Sequence, residues 1–197
     1  MKVQMEGCEE MSKKKNHIKN LTLAAMFLAL GLILPFLTGQ IPQIGIMLSP
    51  MHLPILLCGL ICGWRYGLMV GILTPLIRSA IFGMPVLFPT AIAMAFELGT
   101  YGLVIGYLYG SSKWHCLKTL YISLISAMMA GRTVWGMVMF FLLSMSDEMF
   151  TWNAFISGAL LSAIPGIILQ LTLIPAIMVM LDKTGLVPYR KAASTRT

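Results

Sequence analysis

The chain has 197 residues, of which 58% are hydrophobic and only 11% are charged, and its mean hydropathy is +0.85. A soluble domain averages about 45–50% apolar and about 25% charged residues, so this composition indicates an integral membrane protein with no room for a separate soluble domain. The net charge of +7 does not indicate nucleic-acid binding, because Lys and Arg are confined mainly to short loops and tails and no aromatic-interleaved basic patch appears.

Six apolar runs follow a polar segment at the N-terminus. The first run is too long for a signal peptide and lacks a clean cleavage site, so we interpret it as a retained transmembrane helix. A Gly- and Pro-rich loop follows at residues 38–50, and it is apolar enough to pack back onto the bundle as a lid or re-entrant segment. The predicted elements are a cytoplasmic tail (1–20), helices at 21–37, 51–63, 67–82, 85–109, 119–143 and 153–181, and a second cytoplasmic tail (182–197).

The resulting prediction is an all-α membrane protein with one six-helix transmembrane domain at residues 21–181. Every Lys and Arg except Arg78 and Arg132 falls in the two tails, in the turn at residues 64–66 or in the loop at residues 110–118. With six crossings these four segments share one side of the membrane. The positive-inside rule then places both termini in the cytoplasm.

Two charged residues lie deep in predicted helices and define a candidate site. A guanidinium at that depth costs on the order of 2.5–3.5 kcal/mol even on insertion scales, so Arg132 must face protein, water or a ligand. Glu97 lies about 18 Å from the outer end of the fourth helix and Arg132 about 16 Å from that of the fifth, so the two are expected to pair. Tyr101 is predicted to lie on the same helical face as Glu97, and Trp135 on the same face as Arg132.

Each of these residues also has a structural interpretation. Glu97 and Arg132 could serve only to hold two helices together, and Arg78 could extend to the outer interface. His52 is predicted to be an interfacial or hydrogen-bonded histidine rather than a metal ligand. Rows of Gly and Ala at four-residue spacing are typical of close helix packing.

No motif for ATP hydrolysis and no hydrolase or metalloprotease motif appears in the sequence, which disfavours an enzyme. A bundle of about six helices without a detectable internal repeat is also small for a self-sufficient secondary transporter. These observations favour a binding subunit that is driven by partner proteins.

The first predicted helix contains Leu-Thr-Leu-Ala-Ala-Met-Phe-Leu-Ala-Leu-Gly at residues 21–31, including Ala25-x-x-x-Ala29. A Lys-bearing tail before this segment, and the apolar loop and short helix after it, complete a layout that resembles the substrate-binding S component of energy-coupling factor (ECF) vitamin transporters over about residues 19–181. The resemblance implies a membrane coupling subunit and two ATPase subunits as partners, Ala25 and Ala29 as partner contacts, no cofactor, and capture of a vitamin at the outer face of the bacterial cytoplasmic membrane. The implied substrate site takes in residues 38–50 together with Arg78, Glu97, Tyr101, Arg132, Trp135, Asn153 and Gln170.

The substrate itself is predicted only by charge. Two Arg residues against one Glu favour an anionic ligand, with pantothenate as the first candidate and folate or riboflavin next. Nickel and cobalt branches of the family begin with a Met-His pair, whereas this chain begins with Met1-Lys2, so a metal substrate is not expected. The alternatives are a structural or regulatory membrane protein and a small stand-alone carrier or channel.

Overall fold

The computed structural model describes residues 2–37, 50–112, 117–144 and 164–183, and every regular element in these ranges is helical. The predicted all-α class is therefore confirmed for this part of the chain. One π-helical turn (Leu87–Ala91) leads into the fourth helix. The α-helices within these ranges are α1 (Lys2–Leu37), α2 (His52–Cys62), α3 (Trp64–Phe82), α4 (Ile92–Ser111), α5 (Leu117–Ser144) and α6 (Ile164–Lys183).

Three helical stretches are long and apolar enough to cross a membrane: His17–Phe36, Leu87–Ser111 and Leu117–Ser144. Two further helical stretches, His52–Cys62 and Gly166–Leu181, are apolar but shorter. The six-crossing topology with cytoplasmic termini stays a prediction.

Helix α1 begins far earlier than the sequence pattern predicted. Residues 1–20 were expected to form a polar tail that precedes the first membrane helix, but α1 runs without a break from Lys2 to Leu37. Residues 2–20 contain no Pro and only one Gly, and they are rich in Lys, Glu and Met, which favour helix. Extending an existing helix avoids the cost of nucleating a new one, so a polar sequence of this kind can continue a membrane helix.

The junction between α2 and α3 also differs from the prediction. Gly63 alone joins the two helices, with a positive φ of 92° that favours glycine. Trp64 and Arg65, which were predicted to form the turn, belong to the first turn of α3. Pro75 lies inside α3, which continues unbroken to Phe82.

Glycines make the central helix crossing possible. A methyl group on Gly102 of α4 would collide with the backbone of Gly67 on α3, and one on Gly71 would collide with the Leu98 carbonyl. On α2, a methyl group at Gly59 would lie 2.8 Å from the Gly102 carbonyl oxygen. The backbones of α2, α3 and α4 therefore touch directly, as the Gly rows predicted.

Contacts between α1 and α3 show that the two helices run parallel to each other. Tyr66 near the start of α3 donates a hydrogen bond to the carbonyl of His17 (3.5 Å). Toward the other end, the rings of Phe36 and Phe82 meet edge to face with centroids 4.7 Å apart. The exposed basic residues Lys14, Lys15, Lys19 and Arg65 therefore belong to the same end of the bundle.

Much of the outer surface is apolar. Only 22% of the most apolar 18-residue stretch of α5 is buried within the protein, and the corresponding share for α1 is 11%. Such surfaces require lipid or another protein around them, because contiguous exposed apolar area is unfavourable in water. The large exposed side chains of α5 are Leu117, Tyr121, Ile122, Ile125, Met129, Met137, Phe140 and Phe141.

Candidate functional site

A polar cluster centred on Glu97 lies in the interior of the helical bundle. Glu97 on α4 is only 2% exposed. One helical turn later, Tyr101 is equally buried and donates its hydroxyl proton to Oε1 of Glu97 over 2.8 Å. The i, i+4 spacing on one helix places these two side chains on the same face.

Arg132 of α5 completes the ion pair that the sequence predicted. Its Nε lies 3.3 Å from Oε1 of Glu97. The two side chains differ in exposure, at 24% for Arg132 and 3% for Glu97. The Nε–H is not aligned for a hydrogen bond with any atom among the described residues, so this contact is an ion pair without a well-formed hydrogen bond.

His52, the first residue of α2, is the member of the cluster that sequence reasoning missed. It is 4% exposed, its ring centroid lies 5.3 Å from that of Tyr101, and its Nε2 is 3.8 Å from Oε1 of Glu97. His52 is therefore buried rather than interfacial, and neither ring nitrogen has a hydrogen-bond partner in the described part of the chain, so its role as a hydrogen-bonded histidine stays a prediction. The available signal was the one used for Glu97, an ionisable residue inside an apolar run.

A glycine on α5 makes room for the ring at the centre of the cluster. A methyl group on Gly131 would overlap the ring of Tyr101. The absence of a side chain at Gly131 therefore leaves room for the ring of Tyr101 between α4 and α5. The neighbouring residue along α5 is Arg132, so the same helical turn holds both the ring and the guanidinium in place.

Arg78 lies away from this cluster. It is 9% exposed and donates a hydrogen bond from Nη1 to the carbonyl of Leu32 on α1 (3.2 Å). Its guanidinium also stands over the ring of Phe36, with its carbon 5.2 Å from the ring centroid. Arg78 thus contacts α1 near the Phe36–Phe82 end. Within the described residues, it forms no ion pair with Glu97, whose Arg partner is Arg132.

Of the remaining predicted residues, the structure describes Trp135 and Gln170. Trp135 is half-buried on α5, and Gln170 on α6 is 3% exposed. Met129, three residues before Arg132 on α5, is 67% exposed. Asn153 and residues 38–49 of the predicted loop lie outside the described residues.

The two alanines of the first helix face outward. Ala25 and Ala29 are exposed, whereas Ala24 and Gly31 are buried against the bundle. The exposed neighbours Leu21, Met26, Leu30 and Ile33 continue the same stripe along α1. This face of α1 is therefore available to a partner helix or to lipid.

The cluster has the chemistry of a binding centre. One carboxylate and one guanidinium cancel each other in charge, and two rings, Tyr101 and His52, stand beside them. An apolar enclosure with a few convergent polar groups is the usual form of a small-molecule site. Within the described residues, the protein is thus a helical bundle with membrane-spanning helices and a buried polar centre.

Comparison with known families identifies the class more closely. The family model "ECF transporter, substrate-specific component" matches residues 19–178. The chain belongs to this family, which confirms the resemblance found in the first helix and in the helix layout. Comparisons with curated proteins and with solved structures gave no match.

Proposed function

We propose that this substrate-specific component captures a vitamin or related micronutrient at the outer face of the bacterial cytoplasmic membrane for ATP-driven uptake. The observation that carries the proposal is the cluster of Glu97, Tyr101 and Arg132, in which α4 and α5 direct ionisable side chains to one buried point. Charged groups inside a membrane bundle are costly to keep, and they commonly mark a substrate path.

Geometry also favours a binding role over a purely structural one. A pair selected only to join two helices would be expected to satisfy its hydrogen bonds, since a buried charge is stable only when well paired. Arg132 instead approaches Glu97 through a poorly aligned Nε and keeps 24% of its side chain exposed. A ligand could therefore reach the guanidinium without first breaking an optimal contact.

The charge at the centre changes the expectation for the ligand. The anionic preference was based on two Arg residues against one Glu, but Arg78 contacts α1 at Leu32 and Phe36. Among the described residues, one Arg and one Glu remain at the cluster, and their formal charges sum to zero. Pantothenate, folate and riboflavin are all retained as candidate ligands. The negative charge of a ligand is no longer a reason to prefer one of them over another.

The proposed partners are a membrane coupling subunit and two ATPase subunits, as the family implies. The exposed stripe with Ala25 and Ala29 is the proposed contact with the coupling subunit, because small residues allow another helix to approach closely. Arg78, Trp135, Asn153 and Gln170 complete the proposed set of substrate-binding residues, with Arg78 as its outermost member.

The decisive experiment identifies what the protein holds. The chain is purified in mild detergent from cells grown in rich medium, and the small molecules released on denaturation are identified by mass spectrometry. We expect one vitamin-like compound in near-stoichiometric amount. Absence of any such compound, together with no binding of pantothenate, folate or riboflavin by titration calorimetry, would contradict the proposed function.

A second measurement separates this proposal from the two alternatives. Affinity purification of the tagged chain from its native membrane should bring down two ATPases and one further membrane protein. A structural protein or a stand-alone carrier would be recovered without ATPases.

A further inference from the structure

Both ring nitrogens of His52 are buried and lack a hydrogen-bond partner within the part of the chain that the structure describes. In contrast, the large majority of buried polar side-chain atoms in proteins do have a partner. A neutral imidazole needs an acceptor for its N–H and a donor for its other nitrogen, and a protonated one needs two acceptors. In either form, the hydrogen-bonding capacity of His52 is unused among the described residues at the centre of the bundle.

Glu97 does not meet this need. Its Oε1 already accepts the hydroxyl proton of Tyr101 at 2.8 Å and stands 3.3 Å from Nε of Arg132. Nε2 of His52 is 3.8 Å from the same oxygen, beyond hydrogen-bonding distance. His52 therefore belongs to the cluster by position but has no bond to the described residues around it.

The shortness of α2 places His52 inside the bundle rather than at one of its ends. Helix α2 has 11 residues and is therefore about 16 Å long, roughly half of the hydrocarbon thickness of a bilayer. Its later residue Gly59 contacts Gly67 and Gly102 at the central crossing. The helix thus begins inside the bundle, and its first side chain stands beside Tyr101 rather than at a membrane surface.

Resting on the proposed function, we propose that His52 is a specificity-determining residue that hydrogen-bonds an uncharged hydroxyl or amide group of the substrate. The charges of Glu97 and Arg132 cancel at this point, so a neutral group suits it better than a second carboxylate would. A hydroxyl or a primary or secondary amide carries both a donor and an acceptor, which matches the imidazole. The ring of Tyr101 forms the apolar wall beside that group.

The test compares His52→Leu, His52→Gln and the matched control His17→Leu, because His17 is exposed on α1 and lies at the far end of the bundle. The probes are tritiated pantothenate, folate and riboflavin, each of which carries hydroxyl or amide groups. For whichever probe binds the wild-type protein, His52→Leu should weaken binding by at least about tenfold. His52→Gln, which restores a donor and an acceptor, should recover part of the loss, and His17→Leu should bind as the wild type does.

A second readout needs no ligand. Removing buried polar atoms that lack partners should leave the Tm of ligand-free His52→Leu equal to or above that of the wild type in detergent. A structural histidine would give a clearly lower Tm, which would overturn the proposal. Unchanged binding in His52→Leu would overturn it as well.

The two readouts also separate this inference from the proposed function. If none of the three probes binds the wild type, the vitamin candidates fail, and the Tm alone decides the role of His52. A lowered Tm then identifies a structural residue. An unchanged or raised Tm supports a role for His52 in binding a ligand of another class.

Discussion

Glu97, Tyr101 and Arg132 illustrate how a buried charge is kept in a membrane bundle. The carboxylate accepts one good hydrogen bond from Tyr101 and one ion pair from Arg132. Removing one partner of a buried ion pair is costly, because the other charge is left without compensation. Substitutions at this point therefore test binding and stability separately.

Arg132→Ala should weaken substrate binding by about ten- to a hundredfold, since a charge-assisted hydrogen bond contributes roughly 1.5–3 kcal/mol. It should also lower the Tm, because Glu97 loses its charge partner. Titration calorimetry and thermal unfolding in detergent measure the two effects. Arg65→Ala is the matched control, because Arg65 is exposed and stands over Trp64 at the end of the bundle.

The double variant Arg132→Ala/Glu97→Ala separates a binding site from a structural pair. With both charges removed, the protein should fold at least as well as the single variant and still bind poorly. Recovery of full substrate affinity together with stability would show that the pair only holds α4 and α5 together.

At the scale of the elements, the α3–α4 crossing depends on glycines whose backbones touch. Gly102→Ala should lower the unfolding free energy by about 1–3 kcal/mol, because the new methyl group collides with the backbone of Gly67. Gly110→Ala on the same helix is the control. Nothing lies within 4 Å of a methyl group there, so the exchange should be neutral or stabilising by up to about 1 kcal/mol. Equal Tm values for the two variants would contradict the close crossing.

Helix α1 presents two faces with different expected roles. Ala25→Trp or Ala29→Trp should abolish uptake in whole cells while substrate binding to the isolated subunit stays near the wild-type level, because both residues face outward. Ala24→Trp should instead destabilise the bundle, since Ala24 is 5% exposed.

Met69→Trp places the same large ring on an exposed site of α3 and should leave uptake intact if only the α1 face meets the coupling subunit. A parallel loss of binding in Ala25→Trp would show that this face packs within the bundle.

For the whole molecule, the packing gathers the basic residues of α1 and α3 at one end, which we expect to be cytoplasmic. Lys14, Lys15 and Lys19 of α1 share an end with Arg65 of α3, because His17 and Tyr66 are in contact. Positive charge is retained on the cytoplasmic side during insertion. The opposite end, near Phe82, is therefore expected to face outward.

Cysteine accessibility in a variant without the four native cysteines tests this orientation. Lys14→Cys should react only with reagent added from the cytoplasmic side. Met84→Cys, at a site that is 68% exposed, and Asp147→Cys should react from outside. Cytoplasmic labelling at position 147 would show that a crossing has been miscounted.

The sequence by itself determined the membrane class, the helical content, the family and the pairing of Glu97 with Arg132. These follow from properties that belong to the chain alone: apolar runs of a definite length, a charge excluded from lipid, and the rise of 1.5 Å per helical residue that matched the two depths. The same reasoning could not tell that residues 2–20 continue α1, because a polar helix and a polar tail have similar composition.

Only the tertiary structure decided which further side chains meet. The sequence counted Arg78 with Arg132 as a substrate-binding charge, yet Arg78 contacts α1 at Leu32 while Arg132 contacts Glu97. His52 joins the cluster because α2 is short and starts inside the bundle, and its distance to Tyr101 depends on how α2 is placed against α4. Contacts between helices depend on rotation and register, which are set by where the Gly backbones touch and not by any one helix.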